Sequence, residues 1–174
     1  MANAARTWLI TGCPTVLGRA LAEALIERGE WVFATARDPD RLSDLIDGHL
    51  NPTAPRLDET SPEDVAAAVN TVERAGGIDM LVNNAGYGYR AAIEEGEDAR
   101  VADLFATNLF GAVSMMRAVL PGMRARRKGT IVNVISIAAR LAMPGYGYYS
   151  ATKFALEGVS DALRREVKGS AYAC

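Results

Sequence analysis

Short apolar runs that alternate with segments of helical periodicity restrict this chain more than any single motif in it. Thr7-Trp-Leu-Ile-Thr11 is followed by a glycine-containing turn and by residues 19–28, where Leu21, Ala22, Leu25 and Ile26 recur at helical spacing. Trp31-Val-Phe-Ala-Thr35 reads as a second strand, residues 39–46 as a short helix, and Arg56-Leu-Asp58 as a brief third strand. Ser61 caps and Pro62 opens a helix reaching about residue 75. Asp79-Met-Leu-Val-Asn83 predicts a fourth strand, residues 129–136 a fifth, and residues 149–167 a closing helix. Between these strands, residues 98–124 form a long helix with an apolar stripe of Val101, Leu104, Phe105, Phe110, Val113, Met116 and Leu120. Pro121 predicts a kink or an early stop in it. Continuously apolar strands need cover on both faces, so the expected fold is three-layered α/β with a mainly parallel sheet. At 174 residues and 49% hydrophobic content, residues 1–174 make one domain.

Ligands of such sheets bind beyond the carboxyl ends of the strands. Gly12, Asn83 and Ser136 all lie at or just after predicted strand ends, so three distant segments converge on one edge. The first turn, Thr11-Gly-Cys-Pro-Thr-Val-Leu-Gly18, places glycines where backbone amides and a helix N-terminus can face a pyrophosphate. Val16 stands where such loops carry a further glycine, so its side chain is expected to crowd the phosphates and to disfavour a positive φ. Pro14 removes one amide donor. Arg37, at the end of the second strand, stands where an acidic residue would bind a ribose 2′-hydroxyl. A guanidinium there suits a 2′-phosphate, unless it is simply a solvated arginine. Arg19 either assists it or lies on the helix surface, and Asp58 either meets an adenine or caps a turn.

Tyr149 and Lys153 are four residues apart on one predicted helix, thirteen residues after Ser136 at a strand end. The ammonium can sit near the phenol and favour its ionised form. The serine can donate to a carbonyl oxygen held beside the phenol, and together they form a device for carbonyl reduction or alcohol oxidation. Asn108 lies on the apolar face of the long helix, where its amide has to bridge backbone groups or position a water. Tyr146 and Tyr148 have no lysine four residues on and read as pocket lining.

Composition removes other chemistries. Nineteen basic against twenty-one acidic residues give a formal charge of −2, with no footprint for nucleic acid. The cluster Arg124-Ala-Arg-Arg-Lys128 reads as a cationic helix end favoured by the macrodipole. No apolar run is read as long enough to cross a membrane, no signal peptide opens the chain, and a cytoplasmic location is expected. Two cysteines, Cys13 and Cys174, and one histidine, His49, give no metal site and no Ser-His-Asp device.

From about Thr7 to Val167 the chain resembles the short-chain dehydrogenase/reductase (SDR) family. The resemblance rests on the residue 11–18 loop, Leu57-Asp58, Asn83-Asn84-Ala85-Gly86, Asn108 followed by Gly111, Ser136, and Tyr149 with Lys153. It implies a Rossmann-like doubly wound parallel sheet and hydride transfer between NAD(P)(H) and a carbonyl or secondary alcohol, with NADP(H) preferred over NAD(H) because of Arg37. Tyr149 would be the general acid or base, with Lys153, Ser136 and a relay water at Asn108 completing the catalytic set. Cofactor contacts are implied at Thr11, Gly12, Thr15, Leu17, Gly18, Arg37, Asp58, Asn84, Ala85, Gly86, Tyr149 and Lys153.

The resemblance further implies a sixth strand, a Pro-Gly turn beside the nicotinamide and a helical segment over the substrate, none of which this sequence contains. One flank of the fifth strand is therefore expected to be a free edge. A homo-oligomer, dimer or tetramer, is expected through the long helices. The small-molecule substrate is expected to be largely apolar from Ile137, Ala138, Leu141, Met143 and Tyr146. The alternative reading is a family member, impaired or truncated, that serves only as a structural or weak nucleotide-binding domain.

Overall fold

The computed structural model describes residues 5–46 and 55–167. His49 and Cys174 lie outside them. Four parallel strands, β1 (Thr7–Ile10), β2 (Trp31–Ala34), β3 (Met80–Asn83) and β4 (Thr130–Asn133), are ordered β2-β1-β3-β4. The chain moves outward from β1 to β2 and then crosses to the other side of β1 for β3. The strand order thus reverses at β1, and the crevice above that point is where such sheets bind ligands.

Successive residues of each strand face opposite layers. Leu9, Phe33, Leu81 and Ile131 enter one core with α3 (Pro62–Arg74), α5 (Ala112–Arg126) and α6 (Gly147–Glu166). Ile10, Val32, Ala34 and Val82 enter the other, where Ala22 and Leu25 of α1 (Val16–Glu27) and Leu45 of α2 (Ser43–Ile46) cover them. Both faces are covered, which gives the predicted three-layer, doubly wound sheet.

Several local expectations are corrected. The predicted third strand at residues 56–58 is reduced to one parallel bridge, Ala36 to Arg56, because the chain turns at once into an aspartate-capped loop. Pro121 does not end the long helix: α5 continues to Arg126 and stops where Arg127 adopts φ 52°. The helix over residues 98–126 comprises α4 (Asp98–Phe105), a π segment (Ala106–Gly111) and α5. Phe110 falls within that π segment and is exposed, while Asn108, Leu109 and Gly111 are buried. The same helix contradicts the reading that no segment suffices for a membrane crossing, since its mean hydropathy over 18 residues is 1.3. Leu104, Met115, Met116, Val119 and Met123 of this helix are buried.

Val16 is the first residue of α1, and Arg127 is the one non-glycine residue with positive φ among the described residues, so the anticipated backbone conflict at Val16 is absent. The basic helix end is ion-paired: Arg126 with Glu73, and Lys128 with Asp79 at 2.8 Å. No described strand pairs with the outer edge of β4.

Candidate active site

Gly12 leaves β1 at φ +66°, and a Cβ there would lie 2.7 Å from the Cα of Ala85. Only glycine permits both the left-handed backbone and this approach of two strand exits. Gly18 closes the loop, since a Cβ would meet the Asn84 amide at 2.5 Å and the Gly12 carbonyl at 2.8 Å. Asn84 binds the loop from below, donating Nδ2 to the carbonyls of Thr11 (2.9 Å) and Gly12 (3.1 Å). The Thr11 hydroxyl accepts from the backbone amides of Asn84 (3.1 Å) and Ala85 (3.0 Å). Thr11 and Asn84 therefore shape the loop from beneath. The first turn of α1 leaves the N–H groups of Val16, Leu17 and Gly18 without intrahelical partners, ready to receive an anion.

Over this loop lies a cleft of ≈ 400 Å³ lined by Gly12, Thr15, Arg37, Asp58, Ala85 and Gly86, together with Pro14, Asp38, Arg41, Glu59, Tyr87 and Thr107. Arg37 is exposed there and makes no ion pair or side-chain hydrogen bond with the described residues. Arg19 does not assist it, because its guanidinium is bound by Asp44 at 2.7 Å and 3.0 Å. Asp58 serves as a turn residue, with Oδ1 accepting from the Thr60 amide (2.9 Å) and hydroxyl (2.6 Å). The Thr60 side-chain bond, with help from Arg37 and Arg56, holds its carboxyl below the ordinary value. Leu17 does not line the cleft but stands exposed on α1.

Two strands away, α6 begins at Gly147, so Tyr149 falls in its first turn and Lys153 one turn later. Lys153 is buried, and its Nζ donates to the Val134 carbonyl at 2.9 Å and lies 5.9 Å from the Tyr149 ring centroid. Burial pulls this ammonium down from its ordinary value. Ser136 heads the short turn Ile137–Ala139, against which α6 packs. Its Oγ accepts from the Ala138 amide at 3.2 Å, which leaves the hydroxyl hydrogen free to donate. Gly86 joins the two halves: a Cβ there would be 3.6 Å from Lys153 Nζ and 3.1 Å from Asn108 Oδ1. Tyr148 donates to the Ile93 carbonyl at 2.6 Å, and Arg90 lies 5.8 Å from the Tyr146 ring centroid.

Asn108 takes the backbone-bridging role. Its Oδ1 accepts from Tyr87 N at 3.0 Å, and its Nδ2 donates to the Tyr87 carbonyl at 2.8 Å and to Thr152 Oγ1 at 3.3 Å. Asn108→Ala is expected to destabilise the fold by about 1–3 kcal/mol, the usual cost of unpairing buried polar groups. The urea midpoint measures this, and an unchanged midpoint would show the clamp to be dispensable.

Sequence reasoning missed Glu59, Arg41, Tyr87, Thr107 and Thr152. Glu59 carried the clearest signal, a second acidic residue directly after the strand-end aspartate. The others occupy no recognisable motif and enter the site only through the fold.

A glycine cradle at a strand-order reversal, beside a half-buried tyrosine and a buried lysine, defines an α/β domain of the nucleotide-binding type. Residues 6–171 match the family model for short chain dehydrogenase, and the chain belongs to that family. It is similar to a 3-ketodihydrosphingosine reductase of Bacteroides thetaiotaomicron, 41% identical over 160 residues that cover 91% of this chain and 57% of the relative. A solved short-chain dehydrogenase from Streptomyces avermitilis superposes with a TM-score of 0.94 at 39% identity, covering 99% of this chain and 64% of that one. A gluconate 5-dehydrogenase from Burkholderia cenocepacia, solved with NADP and tartrate, gives a TM-score of 0.89 at 31% identity, with 96% of this chain and 68% of that one covered. The chain spans 57% to 60% of the length of four curated relatives that it matches, the Bacteroides reductase among them.

Proposed function

We propose that this chain holds the cofactor-binding and proton-transfer machinery of an NADP(H)-preferring oxidoreductase that interconverts a carbonyl and a secondary alcohol. The observation that carries the reading is the buried Lys153 beside the Tyr149 ring, next to Gly86 of the nucleotide cleft. The cleft volume, the orphan amides of α1 and Arg37, unpaired among the described residues, all fit a phosphorylated dinucleotide. When bound, the nicotinamide supplies or accepts the hydride. Tyr149 donates a proton to the nascent alkoxide in reduction and removes it in oxidation. Lys153, fixed by the Val134 carbonyl, brings positive charge to that phenol and reaches toward the ribose. Ser136 donates its free hydroxyl hydrogen to the substrate oxygen.

The exposed Ile137, Leu141 and Met143 around this edge support a largely apolar small-molecule substrate. Phe110 and Phe154, exposed on the long helices, support a homo-oligomer, and the reading carries a cytoplasmic location. A rival reading, a structural or weakly nucleotide-binding domain, rests on Val16, whose side chain is 90% exposed at the head of the amide cradle.

Calorimetric titration with NADPH and NADH separates the two, since absence of binding at millimolar nucleotide defeats the enzyme reading. Arg37→Asp is expected to weaken NADPH by roughly 10- to 100-fold, the worth of a charged hydrogen bond. NADH should be affected less, and equal weakening of both would refute the 2′-phosphate role.

A further inference from the structure

Glu59 is a cleft residue for which the reaction has no use. It lines the nucleotide cleft directly after Asp58, and its Cβ would lie 2.8 Å from a Cβ built on Gly111, so the π segment packs against it. A side-chain hydrogen bond from Thr11 favours the ionised form of its carboxyl. Two charged neighbours act on it in opposite senses: Asp58 disfavours the carboxylate and Arg37, across the cleft, favours it. Cys13, from the β1 exit, also lies within electrostatic reach, but burial pushes its thiol up to about 12 and it stays neutral. The π segment contributes no charged side chain. Burial has the largest effect and pushes the Glu59 carboxyl up from its ordinary value.

The argument follows from charge. Without nucleotide, Arg37 is the cation that offsets both Asp58 and Glu59, while Arg56 acts on Asp58 and Arg41 also lines the cleft. A 2′-phosphate that takes Arg37 cancels this help and adds negative charge, while the adenosine displaces the water that solvated the carboxylate. A ribose 2′-hydroxyl takes no charge from Arg37. We propose that Glu59 makes cofactor choice depend on pH: its carboxyl takes a proton from solvent when a 2′-phosphorylated dinucleotide fills the cleft. NADPH is then favoured over NADH most strongly in acid and progressively less as pH rises. The sign follows from linkage, since a site that gains a proton on binding loses affinity with rising pH, at most about tenfold per pH unit for one proton.

The inference rests on the cofactor reading above, and the test separates the two. NADPH and NADH are titrated calorimetrically into the wild-type protein and Glu59→Gln, across the acidic to mildly alkaline range, in buffers of different ionisation heat. The 2′-phosphate itself titrates near pH 6, but its contribution is common to both proteins and cancels in their difference. The wild type should take up more protons with NADPH than Glu59→Gln does, and its NADPH-over-NADH preference should fall several-fold more steeply with pH. Equal proton uptake and parallel pH profiles overturn the inference while leaving the cofactor reading intact. Failure of the wild type to bind either nucleotide defeats that reading and the inference with it. Should Glu59→Gln not fold, Glu59→Met removes the charge while filling the same space, and the same outcomes decide.

Discussion

Tyr149→Phe is expected to lower NADPH-dependent turnover about 10²- to 10⁴-fold, the usual worth of a positioned general acid. Nucleotide binding should stay within a few-fold of wild type. The two effects separate because Lys153 is anchored to the Val134 carbonyl at 2.9 Å and needs no phenol to hold its place. The phenylalanine ring also preserves the packing of the first turn of α6. The check is turnover over a panel of apolar aldehydes and ketones, with NADPH affinity measured in parallel. A variant that retains wild-type kcat would move the proton-transfer role away from Tyr149. One that loses nucleotide binding as well would mark the residue as structural.

Gly12→Ala is expected to damage both fold and cleft. The residue has φ +66°, where a side chain costs roughly 1–2 kcal/mol. Its Cβ would stand 2.7 Å from the Cα of Ala85, a backbone atom that cannot swing aside. Overpacking of that kind costs typically 1–3 kcal/mol more. The combined loss, about 2–5 kcal/mol, is a large share of the roughly 5–15 kcal/mol that holds a domain together. It should appear as a fall in Tm of roughly 5–15 °C, with nucleotide affinity reduced at least tenfold. Gly88→Ala is the matched control, since a Cβ there meets nothing within 4 Å, and its effect should stay within about 0.5 kcal/mol. A Gly12→Ala protein as stable as this control would contradict the close approach of the two strand exits.

The layers of the fold were legible in the sequence because strands apolar on both faces have few ways to be buried. The glycine turn, the Asn83–Gly86 segment and the Tyr149/Lys153 pair were legible too, since each needs particular residue types at particular spacing. Less visible was anything decided by partners distant in the chain. Asp58 reads from the sequence as either an adenine contact or a turn residue, and its turn role depends on Thr60 bonding its Oδ1. Arg19 was open until Asp44 engaged it. Val16 reads from the sequence as a backbone conflict, because nothing local shows that α1 already begins there. A uniform 3.6-residue repeat places Phe110 on the apolar stripe, whereas the helix widens midway and leaves it exposed.

That widening has a consequence for the whole cleft. Each residue of an α-helix advances the azimuth by about 100°. Steps of four residues therefore drift by about 40° per turn and soon leave a face. From Leu104 to Asn108 to Ala112 the buried positions do advance by fours, and from Met115 to Val119 to Met123 they do so again. The π segment, with its wider turn, absorbs one surplus residue at the point where the first drift accumulates. It acts as a phase corrector between two halves of one rod. A uniform helix of this sequence could aim Asn108 at Tyr87 or Met115 and Val119 at the sheet, and only the locally unwound one does both.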